Sequence, residues 1–237
     1  MKALRLIAYQ ETACYTKPFA NKVTETYPLP PYSTVKGMLH DVMGASELIP
    51  FSLSIQGRYD SRIVDYRKTY MIEKNKEAMP IIMDGLEVSI PQSMTSMPLY
   101  THLLYNVELV IHIQAEEDVL QQIYTALEQN DKHLSLGRHE DLMRLDDVRF
   151  VTLEEELNIR TKMPMYAPKH YFVDTGGELE VSGIPYRLNW TYTIKNGVRE
   201  WNKVPVVYIP EKTPFDDEIM AKPFYVDPDG HTVMWNE

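Results

Sequence analysis

The sequence has a single cysteine, Cys14, and no apolar run that approaches the ~20 residues of a membrane-spanning helix. One cysteine excludes an internal disulfide and a cysteine-based zinc site. The seven histidines show neither an HxxxH nor an HxH spacing, and the sequence contains neither a Walker loop nor a dinucleotide-binding glycine motif. We therefore expect a protein without metal or other cofactors and without membrane contact, in the reducing cytoplasm.

Positive charge is scarce overall but concentrated near the start of the chain. The protein carries 24 Lys/Arg against 34 Asp/Glu, a formal net charge of −10. Residues 1–76 nevertheless hold 11 Lys/Arg and 7 Asp/Glu, so the remainder is strongly acidic. A local basic face can bind phosphate whatever the total charge. The charge balance therefore does not exclude a nucleic-acid partner.

The segment 27–40 combines a rigid extended stretch with a predicted helix start. Two successive prolines favour an extended backbone, and Ser33 then stands where an N-cap belongs. Apolar residues recur at helical spacing afterwards, which predicts a helix over about 33–44. Free N–H groups at such a start, beside Ser33 and Lys36, can hold a phosphate. Gly37 costs roughly 1 kcal/mol against alanine inside a helix, which suggests that a strand or a ligand approaches closely.

Hydrophobic patterns along the chain predict the order β-α-β, a long insertion, and a second β-α-β. An irregular stretch over 71–100, rich in methionine and proline, predicts an extended β-hairpin. This order is that of the ferredoxin-like or split βαβ module, which RRM domains share. The predicted fold class is therefore α+β: a module over 1–153 with a hairpin at about 70–100, and a β-rich C-terminal lobe over 154–237.

Three matches carry a resemblance to a known family. The first is Lys17-Pro-Phe-Ala followed by Glu25-Thr-Tyr-Pro-Leu-Pro-Pro-Tyr-Ser-Thr-Val-Lys-Gly-Met-Leu, and the second is the strand 100–113 after a hairpin insertion. The third is Ser135-Leu-Gly-Arg-His-Glu-Asp-Leu. In this order and spacing, the chain resembles Cas protein family five, the CRISPR-associated RAMP subunit of Cascade complexes, and is closest to the type I-B branch.

The resemblance implies a non-catalytic subunit that grips the 5′ handle of the CRISPR RNA (crRNA). Its hairpin would be the family's thumb, and its protein partners would be the large subunit and the backbone subunits of Cascade. Target DNA would be met at most indirectly, because base pairing with the guide reads the target. The residues that we expect to contact RNA are Lys17, Phe19, Tyr27, Tyr32, Ser33, Lys36, Gly37, Arg58, Arg62, Arg67, Lys68, Gly137, Arg138 and His139.

Each of these candidates has a physical reason and a structural alternative. The turn at Gly137 and Arg138 can expose amides and a guanidinium to RNA, or Arg138 can pair with Glu140 or Asp141. The aromatic candidates can stack on bases or pack in the core, and the basic cluster over 58–68 can bind RNA or simply be solvated. We expect the helix start and the arginine turn to converge in one cationic pocket.

The alternative function is a metal-independent endoribonuclease that processes CRISPR precursor RNA. Tyr32, Lys36 and His40 follow one another at a spacing of four, so one side of a helix can carry them. A histidine near its ordinary pKa and a lysine that stabilises charge are suited to general acid–base catalysis. Lys132 and His133 form a second candidate pair.

Overall fold

The computed structural model describes residues 1–72, 94–156, 158–173, 182–215 and 219–236. The first half contains β1 (Lys2–Ala13), β2 (Val23–Thr24), α1 (Tyr32–Val42), β3 (Ser52–Arg58), β4 (Ser61–Ile72), β5 (Met94–Gln114) and α2 (Glu117–Glu128). The second half contains β6 (Leu134–Ser135), β7 (Leu142–Thr152), β8 (Glu154–Glu156), β9 (Ile159–Arg160), β10 (Met165–Pro168), a 3-10 helix (Lys169–Tyr171), β11 (Ile184–Lys195), β12 (Val198–Ile209), β13 (Pro214–Phe215), β14 (Phe224–Val226) and β15 (Thr232–Val233).

One mostly antiparallel sheet organises the chain. Its strand order is β11-β12-β10-β3-β5-β1-β7-β6, and β2 and β4 also pair with β5. β1 lies between β5 and β7, as its apolar residues on both faces predicted. β10, β11 and β12 continue the sheet beyond β3, so the sheet itself crosses position 153, at which we predicted a boundary between two lobes. That division into lobes stays a prediction.

Both helices cover one face of the sheet. Val35 and Leu39 of α1 and Ile123 of α2 are buried in the same core as Leu4 and Leu6 of β1. Alternate residues of a strand point to opposite faces, so the even-numbered residues at the start of β1 face this core. The two predicted helices are confirmed, because amphipathic spacing is a local property of the sequence.

The predicted N-cap of α1 is wrong. Pro31 is the cap residue, with an extended backbone at ψ 151° and no side-chain capping bond, and Ser33 is already the second helical residue. Proline fits the start of a helix because it has no N–H that would need a partner there. The first turn is closed instead by the amides of Thr34 and Val35, which donate to the carbonyl of Pro31.

The opposite face of the sheet carries a buried charged network. Arg5 points away from the helices, and its Nη1 lies 2.7 Å from Oδ2 of Asp227 near the C-terminal end of the described chain. The same oxygen accepts hydrogen bonds from Nε2 of His112 (3.2 Å) and Nδ1 of His231 (3.1 Å). The side chains of Arg5, His112 and Asp227 are fully buried. Each buried charge is thus paired, and the pairing fixes the segment around Asp227 against β1 and β5.

This network makes stability depend on pH. Burial lowers the pKa of His112, although its hydrogen bond to Asp227 acts against this. Burial alone would raise the pKa of Asp227, but bonds from His112, His231 and Arg5 hold it far below its ordinary value. The unfolded chain therefore binds protons that the folded chain does not. The free energy of unfolding should be highest above pH ~6.5 and should fall as pH drops through ~6.5 and again through ~4.

Urea unfolding followed by circular dichroism at several pH values between about 7.5 and about 3 checks this expectation. A free energy of unfolding that is constant over this range would contradict the buried network. Replacing His112 by asparagine should reduce the change near pH ~6.5 and leave the change near pH ~4, which separates the two groups.

Candidate nucleic-acid interface

β4 and the first half of β5 form an antiparallel ribbon. Their register is continuous from Ser61 opposite Tyr105 to Ile72 opposite Met94. β2 pairs with the other edge of β5 at Tyr100 and Thr101. The ribbon therefore begins earlier than the hairpin predicted at about 70–100. The rest of that prediction, over 73–93, lies outside the described residues.

One face of this ribbon presents aromatic and basic side chains. Directly opposed residues of an antiparallel pair share a face, so the even-numbered residues of both strands lie together. Tyr66 opposes Tyr100 with ring centroids 5.5 Å apart, and the two residues are 59% and 43% exposed. The amine of Lys68 lies 5.3 Å from the ring of Tyr70. We call this set the ribbon face: Arg62, Tyr66, Lys68 and Tyr70 of β4 with Tyr100 and His102 of β5.

Of the four basic residues predicted to contact RNA in this region, two form ion pairs among the described residues and two do not. Arg58 forms an ion pair with Glu108 at 2.7 Å, and Arg67 with Asp65 at 2.7 Å. Arg67 also contacts Glu140 at 3.0 Å. Arg62 and Lys68 have no carboxylate partner within 4 Å in the described part of the chain. The ribbon face thus keeps two cations that can neutralise phosphates.

The loop around Lys17 adjoins the ribbon face. Lys17 contacts Glu25 at 3.0 Å, and this bond and charge lower the pKa of Glu25, with smaller contributions from His102 and Arg62. Phe19 is 97% exposed at a left-handed φ of 65°. Non-glycine residues adopt this conformation rarely, and bulky ones more rarely still. The loop therefore presents a further exposed ring beside the ribbon, whereas the charge of Lys17 is paired with Glu25.

The aromatic candidates at the start of α1 are packing residues. Tyr32 is fully buried, and its ring lies 6.0 Å from Tyr166 and 6.3 Å from Trp190. Burial also raises the pKa of Tyr32. Tyr27 is half-buried with its ring 5.5 Å from Tyr186. Tyr32 has no exposed ring for a base, so its predicted stacking role is wrong, because core packing uses the side chain.

Lys36 is buried beside this aromatic cluster. Its amine lies 4.9 Å from the ring of Trp190, and burial lowers its pKa. Ser33 is half-buried in the first turn. A Cβ added to Gly37 would meet no atom within 4 Å, so the strand approach that this glycine suggested is wrong. The ligand that it also suggested is not tested by these contacts.

The turn before β7 is held together internally. Gly137 has φ +113°, and a Cβ there would lie 2.8 Å from Asp141 Oδ2 and 3.0 Å from the carbonyl of Cys14. Nη2 of Arg138 lies 2.7 Å from Asp141 and Nη1 lies 3.0 Å from Glu140. The amides of Arg138 and Cys14 also donate to buried Asp141, at 2.8 and 2.9 Å. The ion-pair alternative is therefore the one observed for Arg138, and the predicted exposed clamp is not.

The structure does not bring the helix start and this turn into one pocket. Lys36 lies over Trp190 of β11, whereas Arg138 is held beside Cys14 at the end of β1. Glu140 instead joins the turn to the ribbon, because it pairs with both Arg138 and Arg67. His139 is fully exposed at the same turn. The turn at Gly137 and Arg138 therefore adjoins the ribbon on the side of Arg67, and it does not adjoin the start of α1.

The predicted catalytic trio does not form an accessible site. Nδ1 of His40 lies 2.8 Å from the carbonyl of Lys36, and Nε2 accepts from the amide of Ile49 at 3.0 Å. Both ring nitrogens therefore have backbone partners. The hydroxyl of Tyr32 is buried without a hydrogen-bond partner in the described chain. No group of three metal-ligating side chains is found among the residues the structure describes.

Four members of the ribbon face were not among the predicted contacts: Tyr66, Tyr70, Tyr100 and His102. A signal for the first two was present in the sequence, because Arg62, Tyr66, Lys68 and Tyr70 all have even numbers and a strand places such residues on one side. The register of β5 against β4 cannot be read from the sequence without the geometry of the hairpin. Tyr100 and His102 therefore become visible only in the structure.

Comparisons with known proteins identify the family of the chain. A family model described as "CRISPR-associated protein (Cas_Cas5)" matches residues 3–202. A chain of a structure described as "CRISPR RNA-guided surveillance complex" is 12% identical, with a TM-score of 0.57 over 90% of this chain and 91% of that one. A "CRISPR protein from Archaeoglobus fulgidus" is 10% identical, with a TM-score of 0.49 over 100% and 99%. No curated protein sequence matches.

The first structural likeness indicates a shared fold. None of the helices in the described ranges is long and apolar enough to cross a membrane.

Proposed function

Because the chain belongs to the CRISPR-associated Cas5 family, we propose that it is a crRNA-binding subunit of a CRISPR effector complex. The observation that carries this proposal is the ribbon face, with exposed rings and unpaired cations on one side of two paired strands. More specifically, we propose that it is a non-catalytic subunit of a cytoplasmic type I-B Cascade. There it holds the 5′ handle and bridges the large subunit and the backbone subunits, and meets target DNA at most indirectly.

The fold supports this more specific proposal. The strand order β3-β5-β1-β7, with α1 after β1 and α2 after β5, is the order expected of a ferredoxin-like module. The ribbon projects from the β3–β5 connection, which is where the family's thumb would start. We infer that the described ribbon is the base of that thumb.

The chemistry of the ribbon face fits an unpaired RNA strand. Bases can stack on Tyr66, Tyr70 and Tyr100, and such stacking tolerates any base because each has a π-face. Arg62 and Lys68 can neutralise phosphates along the strand. Lys17 and Phe19 extend the same surface. This surface would hold the shape and charge of the RNA and leave the target sequence to base pairing.

We also propose that the subunit does not cleave RNA. Support comes from His40, whose ring nitrogens contact backbone groups, and from the burial of Tyr32. Lys132 and His133 are exposed in the loop before β6, where the backbone of Lys132 exchanges hydrogen bonds with the side chain of Asn130.

One experiment tests both parts. The purified protein is incubated with the single-stranded CRISPR repeat RNA in EDTA, and the RNA is resolved on native and on denaturing gels. We expect retarded, uncut RNA whose affinity falls with salt, by a slope of about −0.7 for each phosphate contacted. One discrete shorter product would establish the endoribonuclease instead, and absence of retardation at any salt concentration would contradict RNA binding.

A further inference from the structure

β11 and β12 form a long hairpin at one end of the sheet. Their register runs from Ile184 opposite Tyr208 to Lys195 opposite Val198, with one irregularity. Asn196 and Gly197 close it with φ of 52° and 76°, as a tight two-residue hairpin turn requires. All side chains over 192–200 are exposed. The tip is therefore an ordered arm that leaves the body of the protein.

The tip is apolar on both of its faces. Ile194 opposes Arg199, and Val198 opposes Lys195 in the next pair, so the two aliphatic side chains point to opposite sides. They are 69% and 68% exposed. Behind Ile194, the ring of Tyr192 lies 5.2 Å from that of Trp201. Because these two side chains lie on opposite faces, a cleft that surrounds the tip would bury both of them.

The hairpin is basic within an acidic protein. It carries four cations, Arg187, Lys195, Arg199 and Lys203, against one carboxylate, Glu200, which pairs with Lys195. The guanidinium of Arg199 lies 4.5 Å from the ring of Tyr192, so this cation is held in place. A complementary surface is therefore acidic at its rim, with an apolar floor.

We propose that this hairpin tip docks into an acidic-rimmed, apolar cleft on another protein subunit of the same complex. The proposal depends on the proposed function, since it takes the partner to be a subunit of that complex. A protein cleft fits the tip better than RNA, because its outermost apolar side chains, Ile194 and Val198, are aliphatic and offer no ring on which a base can stack. The rings of the hairpin, Tyr192 and Trp201, lie behind this tip, and Arg199 covers Tyr192.

The test compares complexes purified through a tag on this chain. The double variant Ile194→Asp with Val198→Asp places carboxylates at the tip, and Leu142→Asp is the control at an exposed leucine in β7, toward the opposite end of the sheet. We expect one protein subunit to be lost about tenfold or more from the double variant after a salt wash, with RNA content unchanged. The control should retain both. Thermal unfolding should be the same for all three proteins, because the altered side chains are exposed.

Other outcomes overturn the proposal. Unchanged subunit content in the double variant contradicts docking at the tip. Loss of RNA with all subunits retained makes the tip an RNA contact. A photo-reactive amino acid at Val198 should crosslink to an acidic surface of a different subunit, and a crosslink to RNA or to a second copy of this chain contradicts it. If the unmodified chain is purified with RNA but without any other subunit, the docking surface is contradicted and the proposed function is not. If the unmodified chain is purified without RNA, the proposed function itself is contradicted.

Discussion

Replacement of Tyr66 and Tyr100 together by alanine is expected to weaken binding of single-stranded repeat RNA by about fivefold to 150-fold. The two rings oppose each other on the ribbon face, so both can contribute to a single stacking platform. Each stacked base contributes about 1–3 kcal/mol, and 1.4 kcal/mol is a factor of ten in affinity. Fluorescence anisotropy with labelled RNA measures the change, and circular dichroism shows that the exposed substitutions leave the fold intact.

The ribbon supplies matched controls on its other face. Tyr105 is also exposed but lies on the opposite, odd-numbered face of the ribbon, so Tyr105→Ala should leave the affinity for RNA unchanged. Lys68→Ala should reduce the salt slope by about 0.7, whereas Arg67→Ala should not, because Asp65 and Glu140 already neutralise Arg67. Equal losses from both faces would show that the ribbon face is not the binding surface.

Replacement of Asp227 by asparagine is expected to lower the free energy of unfolding by about 3–5 kcal/mol. Asparagine keeps the shape of the side chain but removes the fully buried one of the three carboxylates that pair with Arg5, which leaves the partly exposed Asp147 and Asp229. Its amide would also turn donors toward the donors of Arg5 and His112, or toward the amides of Asp229 and His231. A buried cation would lose part of its pairing, which is costly where water cannot replace the partner. Urea unfolding at about pH 7.5 measures the effect.

A surface carboxylate provides the comparison. Asp146 pairs with the exposed Arg144, so Asp146→Asn should change stability little. If Asp227→Asn were equally mild, the network around Arg5 would not be essential to the fold. The Asp227→Asn variant should also lose less stability below pH ~4 than the unmodified protein does, because it lacks the carboxylate whose protonation destabilises the fold.

The sequence predicted those parts of the fold that depend on near neighbours. The periodicity of α1 and α2 and the alternation of β1 gave elements close to those observed, with α1 over Tyr32–Val42 against a predicted 33–44. The family also follows from motifs that are continuous in sequence, and the match over 3–202 confirms it. Local patterns are sufficient here because each element buries one face of its own.

Features fixed by distant contacts were not predicted, or were predicted incorrectly. Tyr32 became core because Tyr166 and Trp190 pack on it, more than a hundred residues later in the chain. For Arg138 the sequence offered two readings, and only the fold shows that Asp141 is buried and available as its partner. The convergence of α1 with the arginine turn failed for the same reason, because the placement of β11 decides what Lys36 contacts.

The bond between Arg5 and Asp227 has a consequence for synthesis in the cell. Arg5 precedes Asp227 by 222 positions, so the ribosome must add the whole intervening segment before this pair can form. Until Asp227 and Asp229 have been made, Asp147 is the one carboxylate of this network that can pair with Arg5, and it does so at the longer distance of 3.4 Å. Closure of this face of the sheet therefore awaits synthesis of the segment around Asp227. A polypeptide that stalls before Asp227 keeps that face open, which would expose incomplete chains to chaperones and proteases.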